Sequence, residues 1–319
     1  MSQHAAIPHA EPDPARLANP FKRYFLATRP PFLLASLVPV LIGLATAHVS
    51  GVVLGGLTAL LTMVGAVVIH AGVNVLNDYY DALNGTDDLN RERLFPFTGG
   101  SRFIQNRVLS KQETARFGAA LLASGAVIGL WLFLQSGSGL IVIGLLGLFI
   151  GWAYSAPPLV LNSRGLGELC VAIGFGLLIV SGADYVQRHH FAALPLLASL
   201  PYALLATALL YINQFPDRAA DEQAGKYHWV VRLGAQRARW GYLILVSVAY
   251  GTLLALVLQR LLPVWSLLGM LPLLLSVRAA FTLLSHAHDL PKLAPAIVQT
   301  ILALLGHGIL LAFGLWLSA

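Results

Sequence analysis

A chain of 319 residues that is 57% hydrophobic and only 11% charged is too apolar for a soluble domain and falls in the membrane class. Its formal charge of +6 is spread over several short polar stretches, which fits loops facing anionic lipid rather than a nucleic-acid surface. A single cysteine, Cys170, excludes a disulfide framework and a cysteine metal site, and inside its apolar run it reads as an inert packing residue.

Residues 1–31 are polar and contain proline, with no apolar core behind a basic start, so they read as a cytoplasmic tail rather than a cleaved signal. A spanning helix needs roughly 20 mostly apolar residues. That rule predicts spans near 32–49, 53–76, 117–135, 138–156, 166–186, 191–213, 241–259, 262–284 and 295–317. The expectation is an all-α integral membrane protein with nine transmembrane helices and a cytoplasmic N-terminus. Lysine and arginine support it. They precede the first span (Arg16, Lys22, Arg23, Arg29) and follow the second (Arg91, Arg93, Arg102, Arg107, Lys111) and fourth (Arg164). They recur after the sixth (Arg218, Lys226, Arg232, Arg237, Arg239) and the eighth (Lys292). The alternate loops hold only Arg188 and Arg260.

Two spans run into acidic ladders. The second leads into Asn77-Asp78-Tyr79-Tyr80-Asp81, continued by Gly85, Asp87 and Asp88; the sixth leads into Asn213 and Pro216-Asp217, then Asp221-Glu222 and Gly225-Lys226. Eight of the fourteen acidic residues fall within 78–92 and 217–222. Carboxylates are costly at the edge of a bilayer, so their concentration there asks for a function. Residues four apart share a helix face, which pairs Asn77 with Asp81, Asn74 with Asp78, and Asp217 with Asp221. Asn77, Asp81 and Gly85 align with Asp217, Asp221 and Gly225, which suggests a parallel internal duplication with the site between the halves. Two facing sets of oxygen ligands suit Mg²⁺ shared with substrate phosphates, two ions bridged by a diphosphate. Arg91, Arg102 and Lys226 are expected to balance charge on phosphate oxygens. Pro216 is expected to bend or restart its helix, and Gly85 and Gly225 to let the chain turn away.

Other features have plainer readings. The Arg164–Glu168 run suits a helix start with a capping glycine, His189 and His190 face water or headgroups, and His70 and His307 read as core histidines. Tyr79, Tyr80, Tyr154, Phe175 and Tyr211 are packing or interface aromatics, some of which could line a cavity. Asp184 lies on the opposite side and is expected to tolerate replacement.

With the ladders in place, the chain resembles the UbiA superfamily of intramembrane aromatic prenyltransferases, and within it the MenA-type 1,4-dihydroxy-2-naphthoate polyprenyltransferases. The resemblance is carried by Asn77-Asp78-x-x-Asp81 with Gly85 and Asp87, and by Asp217-x-x-x-Asp221-x-x-x-Gly225-Lys226 followed by Val230-Val231-Arg232-Leu233-Gly234. Tyr154-Ser155-Ala156-Pro157-Pro158, Gly165-Leu166-Gly167-Glu168 and Arg29-Pro30 fit as well. It implies a UbiA-like helical barrel over residues 32–319, with cytoplasmic cap loops at about 80–115 and 214–240 and a cavity open sideways to lipid. It also implies Mg²⁺-dependent transfer from a polyprenyl diphosphate to an aromatic acceptor, in an inner (cytoplasmic) membrane protein with the active site on the cytoplasmic side. By that likeness Asn77, Asp78, Asp81, Asp87, Asp217 and Asp221 are the metal positions, and Asp81, Asp217 and Asp221 the catalytic ones. Asn77, Asn213, Arg91, Arg102, Tyr154, Arg164 and Lys226 are the substrate positions. Partners are the two substrates and the bilayer, without nucleic acid or an obligate protein partner. Asn90, in place of an expected acid, and His228-Trp229, in place of small or hydroxyl residues, depart from the pattern and leave the acceptor open: 4-hydroxybenzoate or homogentisate types compete with the naphthoate. A transporter is the rival class, but the spans carry almost no ionisable residue near their middles. A phospholipid headgroup transferase would need glycines and an arginine after its Asp pair that are missing here.

Overall fold

In the computed structural model, which describes residues 11–319, the chain is all helical. A short helix α1 (Pro20–Ala27) precedes α2 (Pro30–Val49), α3 (Gly56–Asn84), α4 (Lys111–Ser136), α5 (Gly139–Ser155) and α6 (Gly167–Arg188). They are followed by α7 (Ala193–Gln223), α8 (Trp229–Leu258), α9 (Val264–His286) and α10 (Leu290–Trp316). Eight of these, all but α1 and α5, are long and apolar enough to cross a membrane; α5 is equally apolar but only 17 residues long. Each coincides with one of the nine runs read from the sequence, and the ends move outward where polar residues continue the helix.

Those extensions build the site. Helix α3 continues eight residues past the apolar run and α7 ten, carrying both ladders on continuous helix. Each then ends at a left-handed glycine, Gly85 (φ 80°) after α3 and Gly225 (φ 77°) just beyond α7, a conformation that costs glycine least. Pro216 does not restart its helix. Helix α7 runs unbroken through Pro201 and Pro216, and what Pro216 removes is the N–H that would serve the carbonyl of Ile212. Other starts follow ordinary capping: Ser110 and Glu113 form a capping box on α4, and the His228 side chain caps α8, which kinks at Gly234 (φ 70°). Helix α6 contains a π-helical stretch, Ala172–Leu178, in the middle of its span.

The core lies among α2, α7, α8, α9 and α10, where Tyr202, Tyr242, Ile42, Leu253, Leu283 and Leu311 are fully buried. Close approach is set by glycines: a Cβ on Gly43 would sit 2.3 Å from the Val180 carbonyl, so α2 and α6 touch backbone to backbone. Helices α3 to α6 enclose an open space instead. Over the ladder-bearing end lies a cap of residues 85–110. Leu17 and Ala27 pack there against Phe103, Val108 and Leu109, and Glu11 pairs with Arg93 (2.5 Å) and accepts from Asn106 (3.2 Å). Within the segment read as a tail, residues 11–28 thus strap the cap; residues 1–10 lie outside the described residues.

At the far end Asp184 is no idle surface acid. It is 1% exposed, takes Nε of Arg188 on both oxygens (2.9 and 2.8 Å), and the same guanidinium ties to the Thr46 carbonyl of α2 and to Ser50 at its C-terminal cap. Removing one partner of a buried pair strands the other. Asp184→Ala is therefore expected to destabilise the protein by about 3 kcal/mol, seen as an earlier thermal transition in detergent. An unchanged transition would show the pair to be solvated.

Candidate active site

The two ladders converge on one cavity of about 660 Å³. Asn77, Asp81, Asp87, Tyr154, Asn213, Asp217, Asp221 and Lys226, all singled out from the sequence, line it. Away from the ladders its wall is mostly apolar, supplied chiefly by α3 to α7 with residues such as Ile69, Val73, Phe133, Leu148, Phe175 and Leu178. On α3 the lining runs from Thr62 to Asp81, about 28 Å at 1.5 Å per residue, close to the thickness of a bilayer core. Leu130, Ile141 and Leu145 line it while being 59%, 42% and 63% exposed, which marks the seam between α4 and α5 as its outer side. The π-helical turn contributes Gly174, Phe175 and Leu178 to the wall.

The carboxylates at the polar end are all partnered. Lys226 sits between the ladders, its Nζ 2.6 Å from Asp81 and 3.7 Å from Asp221. Burial by itself would lower the Lys226 ammonium, but Asp81 and Asp221 outweigh it and hold it above the usual lysine value. Asp217 accepts from Nδ2 of Asn90 (2.6 Å) and the Gly99 amide (3.3 Å). Asp221 pairs with Nε2 of His228 (3.0 Å). The Val231 amide donates to Nδ1 of that ring, so the proton is on Nε2 and the imidazole donates to the carboxylate.

Asp87 and Asp78 face each other across Gly100. A Cβ there would lie 2.7 Å from one Asp87 oxygen and 3.1 Å from Asp78, and the residue has φ 72°, so only glycine fits. Burial first, then the charges of Asp81 and Asp78, push the Asp87 carboxyl well above the usual carboxylate range. Asp78 stands behind the cavity wall, accepting from the Ser101 amide (3.2 Å), and so shapes the loop rather than facing the space. Asn77 donates to Ser155 (2.8 Å). The Oδ1 of Asn213 is buried without a donor.

Three basic residues expected at the phosphate are elsewhere. Arg91 is exposed and off the cavity. Arg102 is buried but donates to the Asp87 carbonyl instead of reaching the cavity. Arg164 is exposed and spans its own turn to Pro158 (2.8 Å), while its carbonyl holds Arg232. What the sequence reading passed over is Arg29, Asn90, Gln214, His228 and the Thr98-Gly99-Gly100 turn, all lining the cavity. Asn90 and His228 did carry a signal, as departures from the family pattern. His70 also lines the cavity, bonded to Ser36 (2.8 Å), whereas His307 is a core residue.

The profile of the UbiA prenyltransferase family matches residues 36–296. A 1,4-dihydroxy-2-naphthoate octaprenyltransferase of Mycobacterium leprae is 29% identical over 298 residues, covering 93% of this chain and 97% of that one. The protein of the same name from Escherichia coli K12 is 31% identical over 302 residues, covering 91% and 94%. Among solved structures, a UbiA homolog from Archaeoglobus fulgidus bound to GPP and Mg²⁺ superposes with a TM-score of 0.62 at 18% identity, covering 91% of this chain and 99% of that one.

Proposed function

The chain belongs to the UbiA prenyltransferase family, and from that premise we propose that it transfers a polyprenyl group from its diphosphate to 1,4-dihydroxy-2-naphthoate. The observation that carries the reading is the cavity's division: a carboxylate-rich polar end opening into an apolar space, the two together running about 28 Å along α3. A polyprenyl diphosphate has that same division. The acceptor follows the names of relatives near 30% identity that span nearly the whole chain.

The donor set fits Mg²⁺. Asp81, Asp87, Asp217 and Asp221 line one end of the cavity, and the Asn213 oxygen beside them lacks a donor. Among the described residues no three His, Cys, Asp or Glu side chains gather tightly enough to cage an ion alone. That suits an ion which keeps waters and substrate phosphates in its shell. Asn77, Asp81, Asp87, Asn213, Asp217 and Asp221 would hold two ions, with Asp78 supporting. Bound Mg²⁺ supplies Lewis-acid withdrawal of charge from the leaving diphosphate.

The chain's own part is positioning and exclusion. Lys226 is the cation nearest the diphosphate end and stabilises the charge that develops as the allylic C–O bond breaks. The apolar wall keeps water from the allylic cation, and Tyr154 and Phe175 supply aromatic rings to the lining around it. The tail enters from lipid along the seam between α4 and α5, because carrying it through water would cost about 0.8 kcal/mol per CH₂. We assign nine crossings, counting the short α5, with the N-terminus and the ladders on the cytoplasmic side by the distribution of lysine and arginine. A cysteine at the exposed Asp88, in a Cys170→Ala background, should react with an impermeant thiol reagent from the cytoplasmic face; reaction from the other face reverses the orientation.

The direct test is incubation of purified protein with labelled polyprenyl diphosphate, Mg²⁺ and the dihydroxynaphthoate. Prenylated product from this acceptor, and none from 4-hydroxybenzoate, is the expected result; the reverse preference moves the protein to the other acceptor class. His228 gives a further prediction. By donating to one Asp221 oxygen it orients the other, a role in which substitution costs roughly 10–100-fold in metal affinity. His228→Ala should weaken Mn²⁺ binding by about that factor, measured on the protein without substrates; unaltered binding would limit His228 to capping α8.

A further inference from the structure

One polar group next to the carboxylate end of the cavity is set up for a ligand and left unsatisfied. Gln214 is 8% exposed and lines the cavity. Its Nε2 donates to Oε1 of Glu168 at 3.0 Å. A carboxylate can only accept, so this bond fixes which way the amide is turned: nitrogen toward Glu168, oxygen away. The Gln214 Oε1 is then buried with no donor, as is the second Glu168 oxygen. Glu168 is itself anchored, since its carbonyl accepts from Thr207 of α7 (3.3 Å). A buried amide oxygen prepared in this manner is costly to leave unpaired.

Position narrows what fills it. Gln214 precedes Asp217 by three residues on α7, so it lies nearly one turn, about 4.5 Å, along the helix toward the apolar space. Tyr154 lines the same region, its ring 3.5 Å from where a Cβ of Gly167 would stand, beside Glu168. Of the two proposed substrates, the polyprenyl diphosphate has no donor to offer at that depth: its tail is hydrocarbon and its head is all acceptors. The aromatic acceptor carries hydroxyl donors.

We propose that Gln214, its amide turned by Glu168, is the residue that recognises a hydroxyl of the aromatic acceptor. The inference rests on the aromatic-prenylation reading above and adds the group that selects the ring. A hydroxyl donating to this oxygen places the ring one turn from the carboxylate end. It also leaves the hydroxyl oxygen lone pairs free to feed the ring carbon that attacks the allylic centre. Glu168 acts through Gln214 and is a positioning residue. A ring without the hydroxyl would leave the oxygen unpaired, which is the arrangement that discriminates most strongly between close analogues.

The test uses the full-length protein in lipid nanodiscs, with 1,4-dihydroxy-2-naphthoate and its dimethyl ether as paired probes. The wild type should prefer the diol by about 100-fold or more in binding. Gln214→Leu, similar in size and without an acceptor, should shrink the preference to a few-fold and raise KM for the diol, leaving KM for the polyprenyl diphosphate and Mn²⁺ affinity unchanged. Glu168→Gln provides a second reading should the first variant fold poorly. Its amide can donate as well as accept, so Gln214 is free to flip, and the preference should fall by about tenfold with the diphosphate KM again unchanged. Full discrimination retained in these variants overturns the proposal while leaving prenyl transfer intact. So does a loss confined to metal or diphosphate binding. A wild type that transfers the prenyl group to no hydroxyaromatic ring overturns the functional reading, and this inference with it.

Discussion

Replacing Asp81 or Asp221 with asparagine should cut turnover by about 1,000-fold or more, equivalent to roughly 4 kcal/mol of barrier, while the protein stays folded. Asparagine keeps an oxygen for Lys226 at position 81 and for His228 at position 221, so the hydrogen-bonded frame survives. What disappears is one negative charge in a buried site whose work is to hold cations against a diphosphate, and low dielectric makes such charges count. The matched control is Asp88→Asn, in the same ladder but exposed and off the cavity, which should retain near-normal turnover. Asp184 cannot serve as that control, because it is locked to Arg188. Comparable losses at all three ladder positions would mean a general effect on folding, and normal turnover in Asp81→Asn would remove the first ladder from the chemistry.

Chelating divalent cations should abolish prenyl transfer, with a loss of at least about 1,000-fold, restored by Mg²⁺ or Mn²⁺. Lys226 is poised between the ladders and Arg29 also lines the cavity, and these two cations cannot neutralise a diphosphate that also faces Asp81, Asp87, Asp217 and Asp221. The measurement is product formation across a titration of chelator and metal at fixed ionic strength. Full activity in excess chelator, with no metal retained on the protein, would sink the assignment of the ladders.

Much of this architecture was legible because its causes are local. Apolar runs of spanning length located every long helix, and the four-residue steps of Asn77–Asp81 and Asp217–Asp221 put their side chains on one face whatever the tertiary packing. The partners of those carboxylates were not legible. Asn90, Gly99 and Gly100 reach the site through a loop in which Gly99, Gly100, Arg102 and Arg107 take positive φ, and no periodicity announces such a path. Arg102 looked available for phosphate, yet the same loop turns it inward to a backbone carbonyl. Pro216 invites a break by its chemistry alone, but the surrounding helices keep α7 continuous. Gln214 is one letter in an apolar segment; only the direction of its bond to Glu168 shows which atom is left waiting.

The strap across the cap has a bearing on how the molecule is made. Glu11 meets Arg93 across 82 positions of sequence, and α2 and α3 both lie between them. During synthesis the glutamate emerges early and must wait while two helices are threaded into the bilayer before its arginine exists. Closure of the cap therefore waits on the insertion of that helix pair, although the rest of the chain is still to be made. A bulky fusion placed close before Glu11 would burden that closing step, whereas the same fusion after Ala319 would not touch it.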